Sequence, residues 1–147
     1  KVGALKTNPV GSDERSVVPP SARFVMGGSG MPYGEMLRGY EENSVGPDGY
    51  YNAGNVMLKY SLEFRFSLSE NPTIYALAFA EAGNVWEDFN SVDPFNLKRS
   101  AGVGVRLFMP MLGMLGYDMG YGFDNVGNFE SDGPRGWEHH LIFGMPF

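Results

Sequence analysis

The sequence predicts an all-β fold, an antiparallel transmembrane β-barrel to which this chain gives five to six strands. Three observations carry that prediction. Strand-length segments alternate with period two, and in "VMLKYSLEFRF" the alternation runs unbroken from Val56 to Phe66. The face opposite the apolar row holds glycines and charges, whereas a water-soluble sandwich shows a mixed polar face on shorter strands. Connections alternate between short and long, the pattern of outer-membrane barrels.

Taken in order, "KVGALK" at 1–6 offers a short first strand. Residues 7–22 carry Pro9, Gly11, Pro19 and Pro20 and read as a connection. A long Gly/Pro-rich loop spans about 24–54. In the segment after it, Val56, Leu58, Tyr60, Leu62, Phe64 and Phe66 share one face. Met57, Lys59, Ser61, Glu63 and Arg65 share the other. A helix would mix these two sets around its circumference. "ENP" at 70–72 makes a turn, and "TIYALAFAEAGNVW" reads as the next strand, with Ala at 76, 78, 80 and 82 and Glu81 on the opposite parity.

A polar loop at 87–99 leads to "SAGVGVRLFM", which sets Ala101, Val103, Val105, Leu107 and Met109 against Gly102, Gly104, Arg106 and Phe108. "PMLG" is a tight turn. "MLGYDMGYGF" sets Leu115, Tyr117, Met119, Tyr121 and Phe123 against Gly116, Asp118, Gly120 and Gly122. After a loop at 124–137, "WEHHLIFGMPF" places His139, Leu141, Phe143, Met145 and Phe147 on one face. Strands of about 10 residues match the length needed to cross a bilayer at a tilt. Tyr50, Tyr51, Trp86, Phe89 and Trp137 lie at the long-loop ends, where an aromatic girdle belongs.

The totals agree. The 147 residues form one domain, 1–147, with 21 Gly and 14% aromatic residues. A net charge of −6 without a basic run argues against nucleic acid. With no cysteine there is no disulfide framework, thiolate metal site or cysteine nucleophile. No stretch approaches the ~18 apolar residues of a membrane helix. The opening lacks an initiator Met and a signal peptide, as a mature or cut product does. Adjacent His139 and His140 point to opposite faces of a strand and make poor joint metal ligands. "GGSG" at 27–30 lacks the lysine and helix of a phosphate loop. No metal, cofactor or bond chemistry is expected, and the chain reads as a non-enzyme.

Five to six strands cannot close a membrane barrel, which starts at about 8. An open edge in lipid leaves backbone groups unpaired. The chain is therefore expected to be the C-terminal part of a larger barrel, the alternative being one protomer of a shared barrel.

Several segments in the right order resemble the BamA family of outer-membrane assembly factors and their translocating relatives. "FVMGGSG" and "LRGYEENSVGP" resemble its signature loop, with the glycine pair at Gly27 and Gly28 and the tetrapeptide Leu37, Arg38, Gly39, Tyr40. "FAEAGNVW" resembles its F-x-D-x-G-x-V-W strand, with Glu81 in place of Asp. "DPFNLKRSAGVGVRLFMPMLGMLGYDMGYGF" resembles the next hairpin, with Met109 replacing a serine and Met114 a proline. "LIFGMPF" resembles the terminal strand and its closing aromatic. The likeness spans about residues 17–147.

The resemblance implies the last strands of a barrel of about sixteen, with the loop folded back into the lumen. It implies an outer-membrane protein that folds and inserts other barrel proteins through a lateral seam. The expected partners are outer-membrane lipids, unfolded barrel-protein clients, upstream periplasmic domains and the first barrel strands, with accessory lipoproteins in addition. It also implies that Arg38 pairs with Glu81. Asp118, on the glycine-bearing face of its strand, is a second candidate partner. A guanidinium is permanently charged and fits a carboxylate bidentately. The alternative is a solvated Arg38, with Glu81 satisfied by Arg65 or Arg106. The second candidate element is the seam strand, with Leu141, Phe143, Gly144, Pro146 and Phe147. Pro146 removes a ladder donor and Gly144 loosens the strand. A terminal aromatic that merely addresses the barrel for its own insertion fits equally. The rival readings are a translocating or lipid-exporting relative, a passive pore, and a soluble β-sandwich.

Overall fold

In the computed structural model, residues 1–4, 23–30, 33–47, 53–111, 113–126 and 135–144 are described. They form one six-stranded antiparallel sheet in simple sequence order. The strands are β1 (Val2–Ala4), β2 (Val56–Glu70), β3 (Thr73–Trp86), β4 (Lys98–Met109), β5 (Gly113–Gly122) and β6 (Gly136–Gly144). Each segment predicted from period-two alternation is a strand. The short first piece is confirmed as β1, paired with β2 from Val2 opposite Leu58 to Ala4 opposite Val56. β2 runs on beyond Phe66 to Glu70, with a register shift between Ser67 and Ser69. Short turns join β2 to β3 and β4 to β5, while the connections at the other end of the sheet are long. The β3–β4 connection holds one turn of 3-10 helix, Phe89–Ser91.

Parity gives the two faces opposite characters. On the outer face, Tyr60, Leu62, Phe64, Phe66 and Leu68 stand between 58% and 64% exposed. Tyr117, Leu141 and Phe143 project the same way and are also exposed. Glu81, Arg106, Asp118 and His140 lie on the opposite face and are buried. Polar groups inside and apolar groups outside is the reverse of a water-soluble sheet, and it suits strands whose outer face meets lipid.

The cover on the polar face is the long loop. Its Met26, Leu37, Tyr40 and Val45 pack with Met57 of β2, Val85 of β3 and Val126 into a cluster of buried apolar side chains. The loop keeps its own shape through isolated bridges, Phe24 with Gly54, Met26 with both Glu35 and Val45, and Gly28 with Leu37. Met26 lies against Gly83, where a Cβ would fall 2.6 Å from its sulfur. Of the expected girdle, Phe89 and Trp137 are exposed. Trp86 is buried instead, at a strand end where Asn55 N–H donates to its carbonyl at 3.0 Å. Tyr50 and Tyr51 lie outside the described residues. Sheet order leaves β1 and β6 each with one strand neighbour among the described residues.

Candidate functional site

Register decides which side chains meet beneath the loop. Three ladder rows run across the loop-covered face. One is Ser61, Glu81, Ser100, Gly122; the next is Glu63, Phe79, Gly102, Gly120, Glu138; the third is Arg65, Leu77, Gly104, Asp118, His140. Acids stand in the outer two rows at Glu81 and Asp118, and in the middle row at its two ends. Between them, the middle row is an aromatic ring and two glycines. That leaves a trough at the centre of the face. A Cβ on Gly120 would lie 2.6 Å from Gly39 N and 2.9 Å from Gly39 Cα, so the loop backbone occupies the space that a side chain would take.

Arg38 lies in that trough. Its Nη2 donates to Glu81 Oε1 at 2.7 Å, and its Nη1 donates to Asp118 Oδ2 and Glu63 Oε2, each at 3.1 Å. Its backbone N–H donates to the other Glu81 oxygen at 2.9 Å. The guanidinium carbon sits 3.7 Å from the centre of the Phe79 ring, so the cation has an aromatic face beneath it as well as carboxylates at its edge. Only 2% of the arginine is exposed. Burial works against its charge. The hydrogen bonds and charges of Glu81 and Asp118 outweigh that and hold its pKa above the ordinary value. Both sequence-predicted partners therefore meet Arg38, and the solvated alternative does not hold.

Each acid has further support. Glu81 also accepts from Ser61 Oγ at 3.1 Å, with Lys59 Nζ 3.7 Å away. Asp118 is held by both Nη atoms of Arg106, the Nη2–Oδ2 bond being 2.7 Å. Arg106 can reach across because Gly116 opposite it has no side chain, and Asp118 lies over Gly104 for the same reason. Arg65 engages Glu63 at 2.7 Å. Neither Arg65 nor Arg106 takes Glu81 from Arg38.

The rest of the signature tetrapeptide docks too. Gly39 has φ +87°, a conformation that a side chain strains, and its N–H donates to His140 Nε2 on β6 at 3.1 Å. The Tyr40 hydroxyl donates to Arg99 O at 2.6 Å and accepts from Asp124 N–H at 3.3 Å; burial pushes its pKa up. The glycine pair shapes the loop from behind. Gly27 N–H donates to Glu35 O, and Gly28 O accepts from Leu37 N–H. "GGSG" does cradle an anion, an internal one: Ser29 N–H and Oγ and Gly30 N–H all donate to the Glu42 carboxylate.

Arg38 therefore ties the loop to β2, β3 and β5 through three carboxylates, while Gly39 ties it to β6. A family model, the Omp85 superfamily domain, matches residues 1–139. The chain belongs to the Omp85 superfamily. No curated protein matches it. Omp85 proteins are β-barrels of the bacterial outer membrane, and the superfamily includes protein assembly and translocation barrels. The all-β antiparallel sheet with an exposed apolar outer face agrees with that membership.

The second candidate element is less complete. β6 pairs with β5 from Gly136 opposite Gly122 to Gly144 opposite Met114. Leu141 and Phe143 are each 63% exposed on its outer face. Pro146 and Phe147 lie outside the described residues. The site members that sequence reasoning left unassigned are Glu63, His140 and Phe79, and Arg106, offered there as an alternative partner of Glu81, binds Asp118 instead. All four lie on the face opposite the apolar row of their own strands, so the signal existed; their convergence depends on register, which alternation alone does not supply.

Proposed function

We propose that this Omp85 chain is the C-terminal portion, residues 1–147, of a larger barrel that folds and inserts other β-barrel proteins into the bacterial outer membrane. In this reading further strands of the same protein close the barrel against β1 and β6, and periplasmic domains upstream deliver unfolded clients. The β6 edge, with Leu141, Phe143 and Gly144, forms a seam where an incoming strand pairs by β-augmentation. The surrounding lipids and accessory lipoproteins are its other partners. The loop is a latch, built from Arg38, Glu81 and Asp118, shaped by Gly27, Gly28 and Gly39 and anchored by Tyr40. No bond is made or broken.

One observation carries this reading. A buried arginine shared among Glu63, Glu81 and Asp118 fixes a long loop against the inside of the sheet. A passive pore gains nothing from filling its own lumen this way. An assembly barrel gains a rigid interior wall against which a weak seam can work. The test uses the full-length protein in lipid vesicles, with an unfolded barrel protein added. Insertion is read by protease resistance and by the heat-sensitive gel mobility of folded barrels. Insertion above protein-free vesicles, reduced in Arg38→Ala, is the expected result. Steady ion conductance without insertion would support a pore, and export of an unfolded soluble cargo instead would support a translocating relative.

A further inference from the structure

We infer that His140 is a positioning residue for the latch, holding the Gly39 backbone against β6 only while its ring is neutral, so that docking of the loop follows pH. This rests on the latch reading and adds its control.

The hydrogen-bond roles at this contact are unambiguous. A backbone N–H can only donate, so His140 Nε2, 3.1 Å from Gly39 N, must be the acceptor and must carry no proton. His140 is 6% exposed, so water has little room to replace that bond. Protonation puts a second donor at Nε2, facing the Gly39 N–H. The groups around the ring do not restore the lost contact. Asp118, its ladder partner on β5, is already bound by Arg38 and by both Nη atoms of Arg106. Glu42 of the loop is held by Ser29 and Gly30. Glu138, two residues away on β6, faces Arg135. Arg38 itself is a like charge for an imidazolium. The surrounding carboxylates stabilise a protonated ring in place, but they give the Gly39 N–H no acceptor.

The position makes the contact consequential. Arg38 reaches β2, β3 and β5, and the Gly39–His140 bond extends the grip of the same tetrapeptide to β6. An imidazole ordinarily titrates near pH ~6.5, inside the range that a surface-exposed compartment meets.

The test places nitroxide labels on the full-length protein in lipid vesicles at Tyr33→Cys in the loop and Ser67→Cys on β2. The distance distribution is then measured from pH 8 to pH 5. A docked loop gives a narrow distribution, and undocking adds a broad component. The expected result is a broad component that grows on acidification by about two- to tenfold in undocked-to-docked ratio, the loss of one hydrogen bond. In His140→Gln, whose side-chain oxygen accepts without titrating, the loop stays docked and the profile is flat. In His140→Phe the broad component is present at every pH. A flat profile in the unsubstituted protein, tighter docking at low pH, or an unchanged pH response in His140→Gln each overturns the proposal. Arg38→Ala in the same labelled background separates the two ideas. If it fails to undock the loop at pH 8, the latch itself is wrong, whatever His140 does.

Discussion

Replacing Gly120 with alanine tests the docking of the loop without touching a charged group. Gly120 is on the loop-covered face of β5, opposite Gly102, and no positive φ restricts it. The strand therefore accepts alanine, and the atoms nearest the new methyl are those of the loop. It would lie 2.6 Å from Gly39 N, 2.9 Å from Gly39 Cα and 3.1 Å from the Arg38 carbonyl carbon, all backbone atoms that no rotamer change can move aside. An ordinary contact starts near 3.4 Å, so the loop must retreat by 3.4 − 2.6, roughly 0.8 Å. The bonds from Arg38 to Glu81, now 2.7 and 2.9 Å, would stretch to as much as roughly 3.5 and 3.7 Å, at or past the useful limit. Each is a hydrogen bond to a charged group worth about 1.5–3 kcal/mol. Losing part of both gives about 2–4 kcal/mol against docking, or about 30- to 1,000-fold in the docked-to-undocked ratio. The assay is limited proteolysis of the loop in the full-length protein in vesicles, beside a thermal melt of the barrel. The loop should be cut much faster while the barrel melts within a few degrees of its normal temperature. A loop cut at the unsubstituted rate would refute the claim that its backbone fills this trough.

Two further outcomes follow from other parts of the sheet. Arg99 hydrogen-bonds Asp124 and holds that carboxyl below its ordinary pKa, against the opposing effect of partial burial. A depressed acid contributes stability that is complete above its unfolded pKa of about 4 and is lost as pH falls through the lower folded value. Protease protection of the segment after β5 should thus decline only below about pH 4, and Asp124→Asn should flatten that acid limb. Phe64 is 59% exposed near the middle of β2 on the outer face. Phe64→Arg should cost about 2–4 kcal/mol in bilayer-embedded protein, read by urea titration in vesicles, and much less in a detergent that lets the side chain reach water. An equal, small effect in both media would mean that this face does not meet lipid.

Much of this arrangement was legible in the sequence because side-chain parity survives any uncertainty in register. The even–odd split from Val56 to Phe66 separated the oily face from the polar one. The same split put Glu81 and Asp118 on the side where Arg38 was needed. What alternation could not supply was the sideways neighbour. Glu63 reads as one more charge on a polar face until the ladder sets it opposite Phe79, one row from Glu81. His140 reads as half of a poor metal pair until its row ends at the loop. The "GGSG" turn lacks the lysine and helix of a phosphate loop, and its three donors hold Glu42, an anion of the same chain found only through the fold. Trp86 is an aromatic at a strand end, as a girdle residue is, but it is buried there.

The β4–β5 hairpin has one more consequence. From Ser100 to Arg106, each pair on its loop-covered face includes a glycine: Ser100 with Gly122, Gly102 with Gly120, Gly104 with Asp118, and Arg106 with Gly116. Side chains are what normally brace a sheet against bending, and this stripe has few. Its stiffness is borrowed from the segment lying on it. When that segment lifts, the stripe keeps only its backbone ladder and the Arg106–Asp118 pair to hold its curvature.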